Sequence, residues 1–330
     1  MDDVPIPTRG ESFEILVIAE DSLGRIGSTK SKIMKSGSIV SDLVWGNIIG
    51  LHIDAWTGDI LALTDSGTAD KAISLVSLKQ DSEKDDQVIY SFEPQLPNSL
   101  SQGNVSSTYH FSDGKFYVGY HESSSNPGVR LYSIDLKGNR EQLYPSAASG
   151  EVELESISGM VVDGEGTMVL ADGITGNIIR VDGKTRAFSL YGKDLFPVDE
   201  VNYLALAFDP FSTLYSTYIV PNYKGTPIYG VSSKAEELEI VAGPFIDGKS
   251  PAKRIIVSES LAIAFLLDFE GDVYMVSLKN NERMLYMEGP VGEIAYDVLD
   301  EILYLYYTDT KSIVMVDIFT GDLVEVTSSK

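Results

Sequence analysis

The sequence predicts an all-β fold. Short apolar runs recur along its 330 residues and are separated by turns rich in Asp, Asn and Gly. Such runs are typical of antiparallel strands joined by tight turns. The clearest example is the segment from Ile157 to Asp182, in which glycine-containing turns join three apolar runs. No long stretch has the i, i+3, i+4, i+7 apolar spacing that predicts an amphipathic helix.

The apolar runs form a repeat. Six units of four runs begin at residues 50, 107, 157, 203, 254 and 291, so the intervals between them are 57, 50, 46, 51 and 37 residues. Periods of about 40 to 50 residues with four strands each are typical of β-propeller blades. We therefore expect a propeller of six four-stranded blades in one domain, residues 13–330, preceded by a polar arm at residues 1–12.

The ends of the repeat raise the question of ring closure. The six units cover residues 50–328 and leave an apolar run at residues 14–19 unassigned. The first and last blades of a ring must be joined, because open sheet edges promote aggregation. We expect the run at 14–19 to pair with the last blade. The alternative is that residues 13–49 form an abbreviated seventh blade.

The charge of the chain limits its partners. It has 25 basic and 49 acidic residues, so its formal net charge is -24. This excess repels nucleic acids and anionic membrane surfaces, whereas it attracts amines and metal ions. We therefore expect a small-molecule ligand, no nucleic-acid partner, no membrane partner and a monomeric protein.

Cysteine is absent, which excludes disulfides and thiolate chemistry. The first residues lack the basic and apolar regions of a signal peptide, but a mature chain without its signal peptide would look the same. Asn104, Val105 and Ser106 form one N-glycosylation sequon. We favour a secreted, extracellular location, with the cytoplasm as the alternative.

Two segments resemble known propeller families. MVVDGEGTMVLADGITGNIIRVDG, from Met160, resembles the repeat of the NHL-like and senescence marker protein/gluconolactonase families. YLALAFDPFSTLYSTYI, from Tyr203, with the following PIYGVSSK, is similar to a passage of the yellow/major royal jelly protein family. The resemblance implies a six-bladed propeller that either carries a ligand or hydrolyses a lactone with a metal ion. Two features depart from these families: Gly10-Glu11 lacks the rest of the metal-binding Gly-Glu-x-Pro-x-Trp stretch, and the cysteines usual in yellow proteins are absent.

Candidate site residues follow from the propeller architecture. The first strand of each blade lines a central channel, and the loops leading into these strands form a funnel. Aromatic and acidic side chains there would suit a cationic or amphipathic ligand. The predicted ligand-binding residues are Trp45, His52, Tyr109, Glu155, Asn202 and Tyr203. The alternative for each aromatic residue is packing between blades.

The same funnel could hold a hard cation. Oxygen ligands from carboxylates and amides suit Ca²⁺, which takes about 6 to 8 of them. The predicted ligands are Asn104, Glu155, Asn202 and Glu293. The alternative is that these side chains bind water and loop amides in a polar channel.

General-base catalysis would require two of the three histidines, His52, His110 and His121, to converge. The sequence contains no G-x-S-x-G, H-E-x-x-H or Walker motif. We therefore expect a small-molecule-binding propeller similar to the yellow type. The alternatives are a Ca²⁺-dependent lactonase or related hydrolase of gluconolactonase type and a protein-interaction scaffold.

Overall fold

The computed structural model describes most of the chain from residue 12 to residue 328. The described residues are 12–20, 26–34, 39–40, 43, 45–54, 57–65, 73–78, 86–92, 105–110, 112–121, 128–163, 165–192, 204–208, 214–218, 228–231, 238–242, 252–258, 261–280, 282–297, 300–318 and 323–328. Within them, no helix has the length and apolar character needed to cross a bilayer.

The described chain begins with three strands that precede the repeat. They are β1 (Ser12–Glu20), β2 (Ile26–Met34) and β3 (Ile39–Val40). Sheet 1 then comprises β4 (Ile48–Ile53), β5 (Ile60–Asp65), β6 (Ile73–Leu78) and β7 (Gln87–Phe92). Sheet 2 comprises β8 (Val105–His110), β9 (Lys115–His121), β10 (Val129–Asp135) and β11 (Arg140–Tyr144), and a 3-10 helix at Ala147–Ser149 follows it.

The later sheets continue the pattern. Sheet 3 comprises β12 (Gly159–Val162), β13 (Met168–Ala171), β14 (Ile178–Val181) and β15 (Phe188–Gly192). Sheet 4 comprises β16 (Leu204–Phe208), β17 (Leu214–Tyr218), β18 (Ile228–Val231) and β19 (Leu238–Ala242). Sheet 5 comprises β20 (Ala252–Ser258), β21 (Ile263–Asp268), β22 (Val273–Ser277) and β23 (Arg283–Met287). Sheet 6 contains β24 (Val291–Asp297), β25 (Ile302–Tyr307), β26 (Ser312–Asp317) and β27 (Leu323–Ser328).

The sheets form a closed ring. Consecutive strands within each sheet pair antiparallel in chain order. The first strands of neighbouring sheets (β4, β8, β12, β16, β20 and β24) contact one another in sequence, and β24 contacts β4. These six inner strands therefore surround a central axis, and the predicted all-β propeller is confirmed.

The predicted strand count is wrong. Among the described residues, five sheets have four strands, but sheet 6 has five because β3 pairs in parallel with β27. The blades are therefore not six, or seven, uniform four-stranded sheets. The strand that extends the last sheet is only two residues long, and a pattern this short cannot be recognised in a sequence.

The predicted role of residues 14–19 is also wrong. These residues belong to β1, which pairs with β2 along its whole length in a separate two-stranded sheet. A local hairpin closes a much shorter loop than pairing with the C-terminal sheet would, so its entropic cost is smaller. The seventh-blade alternative fails as well, because β1 and β2 pair only with each other among the described strands and β3 joins sheet 6.

The hydrophobic core lies between neighbouring sheets. Between sheets 6 and 1, for example, the side chains of Trp45, Tyr304 and Tyr306 pack together and are almost fully buried. Further clusters of buried side chains lie between sheets 1 and 2, 2 and 3, 4 and 5, and 5 and 6. This explains why the strands are continuous apolar runs, whereas a sheet exposed on one face would show polar alternation.

Candidate functional site

A cavity of about 290 Å³ is enclosed by the inner strands. All six inner strands contribute to its wall, which mixes apolar and polar side chains. The lining residues lie at 50–53, 106–110, 159–163, 206–207, 253–257 and 293–296. Hydrogen bonds join the first halves of β20 and β24 and, at the other end, residues at or next to the ends of β20 and β24 and of β4 and β8. We therefore call the two ends of the cavity the N-terminal end and the C-terminal end.

An ion pair dominates the N-terminal end. Arg254 of β20 donates from Nε to Glu293 Oε2 at 2.9 Å and from Nη2 to Glu293 Oε1 at 3.2 Å. Its Nη2 also lies 3.5 Å from the carbonyl oxygen of Ile49. The Glu293 side chain is only 3% exposed, whereas that of Arg254 is 26% exposed. Arg254 thus links sheet 5 to sheets 6 and 1, and its two bonds hold the buried carboxylate in one orientation.

A buried lysine lies beside this pair. Lys253 is 5% exposed, and its Nζ donates to the carbonyl oxygen of Gly292 at 2.9 Å. Burial lowers the pKa of Lys253, whereas the negative charge of Glu293 acts in the opposite direction. This end of the cavity therefore has two basic side chains and one acidic side chain close together.

The His52 ring belongs to the wall between sheets 1 and 2. Its Nε2 is hydrogen-bonded to Ser107 Oγ at 3.0 Å, and the direction of the bond depends on the tautomer. A Cβ at Gly50 would collide with Ser107 Oγ, so glycine at this position allows β4 and β8 to approach closely. Burial, with a smaller contribution from the charge of Arg254, lowers the pKa of His52 to about 3. The imidazole is therefore neutral at physiological pH.

Two tyrosine hydroxyl groups donate hydrogen bonds at the C-terminal end. Tyr109 donates from its hydroxyl to Asp54 Oδ2 at 2.8 Å, and Tyr296 donates to Ser258 Oγ at 3.1 Å. Burial raises the pKa of Tyr109, and the hydrogen bond to Asp54 raises it further. Burial likewise raises the pKa of Tyr296. Both phenols therefore keep their protons at physiological pH.

The histidines have different partners. His52 contacts Ser107, whereas His110 Nδ1 lies 2.9 Å from Asp113 Oδ1. Both line the cavity, but each has its own partner in a different part of the wall. The side chain of His121 lies outside the described residues. No shared general-base pair is therefore visible among the described side chains.

The structure brings three of the predicted site residues to the cavity: His52, Tyr109 and Glu293. Trp45 is instead 2% exposed within the core between sheets 6 and 1. Glu155 is exposed and is not part of the cavity wall, and its backbone N–H donates to Asp172 Oδ2 at 2.8 Å. Trp45 and Glu155 therefore do not line the cavity.

The remaining predicted site residues, Asn104, Asn202 and Tyr203, lie outside the described residues. Of the predicted Ca²⁺ ligands, only Glu155 and Glu293 are described. The first is exposed outside the wall, and the second is buried against Arg254. The funnel metal site stays a prediction.

Ser107 is a wall residue that the sequence analysis missed. It lies at the start of the second unit, but nothing in its local sequence distinguishes it from the serine before it. Its position depends on the close approach of β4 at Gly50. The only signal in the sequence is a glycine, Gly50, in the first strand of a unit. This glycine could identify Ser107 only if the packing of neighbouring blades were already known.

No protein-family model and no curated protein matches the sequence. Solved structures match the fold. A chain in the crystal structure of a nidogen/laminin complex has a TM-score of 0.55 and 13% sequence identity, and the match covers 80% of this chain and 91% of that chain. Virginiamycin B lyase from Staphylococcus aureus, substituted with selenomethionine, has a TM-score of 0.47 and 13% identity, covering 68% of this chain and 69% of that chain. At this identity the first match shows the propeller fold alone.

Proposed function

We propose that this protein binds a small amphipathic molecule in the central cavity. The observation that carries the proposal is the cavity itself, of about 290 Å³, with a mixed wall. Ligand pockets begin at roughly 300 Å³ and are typically apolar with a few convergent polar groups. Leu51, Met160 and Ile256 are among the apolar side chains of this wall.

The head group of the ligand is suggested by the N-terminal end. Lys253 and Arg254 carry positive charge there, and Glu293 is the acidic side chain that Arg254 binds. The Ser107 hydroxyl adds a further polar group to the wall. These side chains favour a head group that accepts hydrogen bonds and is uncharged or anionic. The ligand is thus amphipathic, as predicted from the sequence. Its head group, however, is a hydrogen-bond acceptor, whereas the net charge of -24 had favoured a cationic head group.

The chemistry of the wall supports binding more than hydrolysis. A general base works best when its pKa lies near the operating pH, and the pKa of His52 is about 3. The Glu293 carboxylate accepts two hydrogen bonds from Arg254, so both of its oxygens are already engaged. We therefore assign these groups a role in holding a ligand.

Fluorine-detected NMR of a fragment library tests this proposal. The library contains matched aryl carboxylates, amides and amines. Thr108 is half-buried in the cavity wall, so Thr108→Trp places an indole in the space assigned to the ligand. Ser189→Trp is the matched control, because Ser189 is exposed on the outer strand β15.

We expect carboxylate or amide fragments to bind the wild type and Ser189→Trp but not a folded Thr108→Trp. Equal binding to all three proteins, or no binding by any fragment class, would contradict ligand binding in the cavity. Binding of amines alone would leave the cavity as the site and overturn the proposed head group.

A further inference from the structure

The turn between β21 and β22 places three carboxylates together. Asp268, Glu270 and Asp272 each offer one oxygen atom, and these atoms all lie within 4.8 Å of one another. Asp268 is fully buried, Asp272 is half-buried and Glu270 is exposed. Carboxylates this close repel each other unless a proton or a cation compensates their charge.

The same turn occurs elsewhere in the molecule with a different residue at its fifth position. Asp268 Oδ1 accepts the backbone N–H groups of Glu270 and Asp272, both at 2.9 Å. Asp135 Oδ1 accepts the N–H groups of Lys137 and Asn139 in the same way. In that second turn, Asn139 also donates from Nδ2 to Asp135 Oδ2 at 2.8 Å. The side chain at the fifth position thus satisfies the second carboxylate oxygen.

The Asp268 turn lacks this donor, because the fifth residue is Asp272. A carboxylate has no N–H to offer. Asp268 Oδ2 is accordingly buried without a hydrogen-bond partner among the described residues. A buried carboxylate oxygen in this state is costly unless a positive charge or a proton reaches it.

Neighbouring groups hold the Asp272 carboxylate in place. Its Oδ1 accepts the backbone N–H of Gly289 at 2.9 Å, and its Oδ2 accepts the Tyr274 hydroxyl at 3.2 Å. The nearby ammonium group of Lys253 donates to the Gly292 carbonyl oxygen. Groups outside the turn therefore hold Asp272 in place. The exposed side chain of Glu270 lies on the side of the cluster that faces solvent.

We propose that Asp268, Glu270 and Asp272 bind one Ca²⁺ ion. Ca²⁺ binds oxygen ligands at about 2.3–2.6 Å, so three oxygens within 4.8 Å of one another can all reach a single ion. Its flexible coordination allows water to fill the remaining positions on the solvent side. Mg²⁺ requires shorter distances of about 2.0–2.1 Å and near-octahedral geometry, so it fits this turn less well. The site is distinct from the cavity ligands predicted from the sequence.

Asp272→Asn tests the proposal. The substitution removes one charge and supplies the amide that Asn139 supplies in the Asp135 turn. We expect millimolar Ca²⁺ to raise the thermal midpoint of the wild type by about 2–4 °C relative to EDTA, and to leave that of Asp272→Asn unchanged. In EDTA, Asp272→Asn should melt no lower than the wild type, which shows that it folds.

Glu165→Gln is the matched control. Glu165 is the exposed third residue of the Asp163 turn, whose fifth residue is Thr167 and not an acid. It should keep the full calcium response.

A second measurement uses Tb³⁺, whose emission Tyr274 can sensitise when the tyrosine is excited. We expect emission that Ca²⁺ displaces in the wild type and Glu165→Gln and that is lost in Asp272→Asn. No midpoint shift in the wild type, or equal shifts and emission in Asp272→Asn, would overturn the proposal.

Discussion

The two ends of the central cavity are built from the same strands but have different chemistry. At the N-terminal end, Arg254 and Glu293 form a two-point ion pair across sheets 5 and 6. At the C-terminal end, Tyr109 and Tyr296 donate single hydrogen bonds from uncharged phenols. The repeat therefore provides a uniform backbone ring, and the individual side chains decide what each end can bind.

The two ends should also differ in how they respond to substitution. Removing one member of a buried ion pair leaves a charge without its partner, which costs more than the pair itself contributes. Removing a phenolic hydroxyl takes away one hydrogen bond and leaves its acceptor without that donor. Substitutions at the N-terminal end should accordingly cost more stability than those at the C-terminal end.

The largest effect is expected for Glu293→Gln. The substitution leaves Arg254 and Lys253 without the carboxylate that compensates them, so we expect a loss of about 2–4 kcal/mol in the free energy of unfolding. This lies below the value for a fully buried pair because the Arg254 side chain is 26% exposed. Urea denaturation at pH 7 measures the change. Replacing both residues, as in Arg254→Met with Glu293→Leu, should recover part of this loss. A loss below about 1 kcal/mol for Glu293→Gln would instead show that the ion pair is effectively solvated.

The second effect is a pH dependence due to His52. Its pKa is about 3 in the folded state and about 6.5 in the unfolded state, so between these values the unfolded chain binds more protons. Acidification therefore favours unfolding. His52 should account for at most about 2 kcal/mol of the stability lost between pH 7 and pH 5.

His52→Gln tests this pH dependence, because glutamine keeps hydrogen-bonding capacity near Ser107 but does not titrate. Denaturation of both proteins at several pH values gives the difference between the two stability curves. We expect the wild type to lose more stability than the variant as the pH falls below 6.5. Parallel curves would mean that His52 is protonated in the folded protein.

The smallest effect is expected at the C-terminal end. Tyr109→Phe removes the hydroxyl that donates to Asp54, while the N–H of Thr57 still donates to the other oxygen of that carboxylate at 3.3 Å. We expect a loss of about 1 kcal/mol by thermal or urea denaturation. Tyr296→Phe is the control at the same end, and it should cost less because its acceptor, Ser258, is an uncharged hydroxyl. A loss from Tyr109→Phe as large as that from Glu293→Gln would remove the proposed difference between the ends.

Much of the fold could be predicted from the sequence, because apolar runs and glycine turns determine strands and turns from residues that are close together in the chain. The segment from Ile157 to Asp182 contains β12, β13 and β14 in the predicted order. Pairing of an N-terminal strand with the last sheet was predicted, but the strand that pairs is β3, which is two residues long, and not the run at residues 14–19. Such pairing depends on ring closure and leaves no local pattern.

The site was predicted less completely, because partners across blades are set by packing. Glu293 lines the cavity, but its pairing with Arg254 joins residues 39 positions apart on neighbouring sheets. Glu155 is exposed outside the cavity wall, where hydrogen bonds from its own N–H and from Ser156 to Asp172 hold the loop before β12. The Asp268 turn was not recognised, because the burial that leaves its second oxygen without a hydrogen-bond partner among the described residues depends on packing.

The most direct test of the central claim is a crystal structure of the protein soaked with the strongest-binding carboxylate or amide fragment. We expect difference density in the central cavity, with the head group within hydrogen-bonding distance of Lys253, Arg254 or Ser107 and the apolar part against Leu51 or Ile256. A fragment bound only on the outer surface of the ring, with the cavity containing ordered water alone, would contradict it.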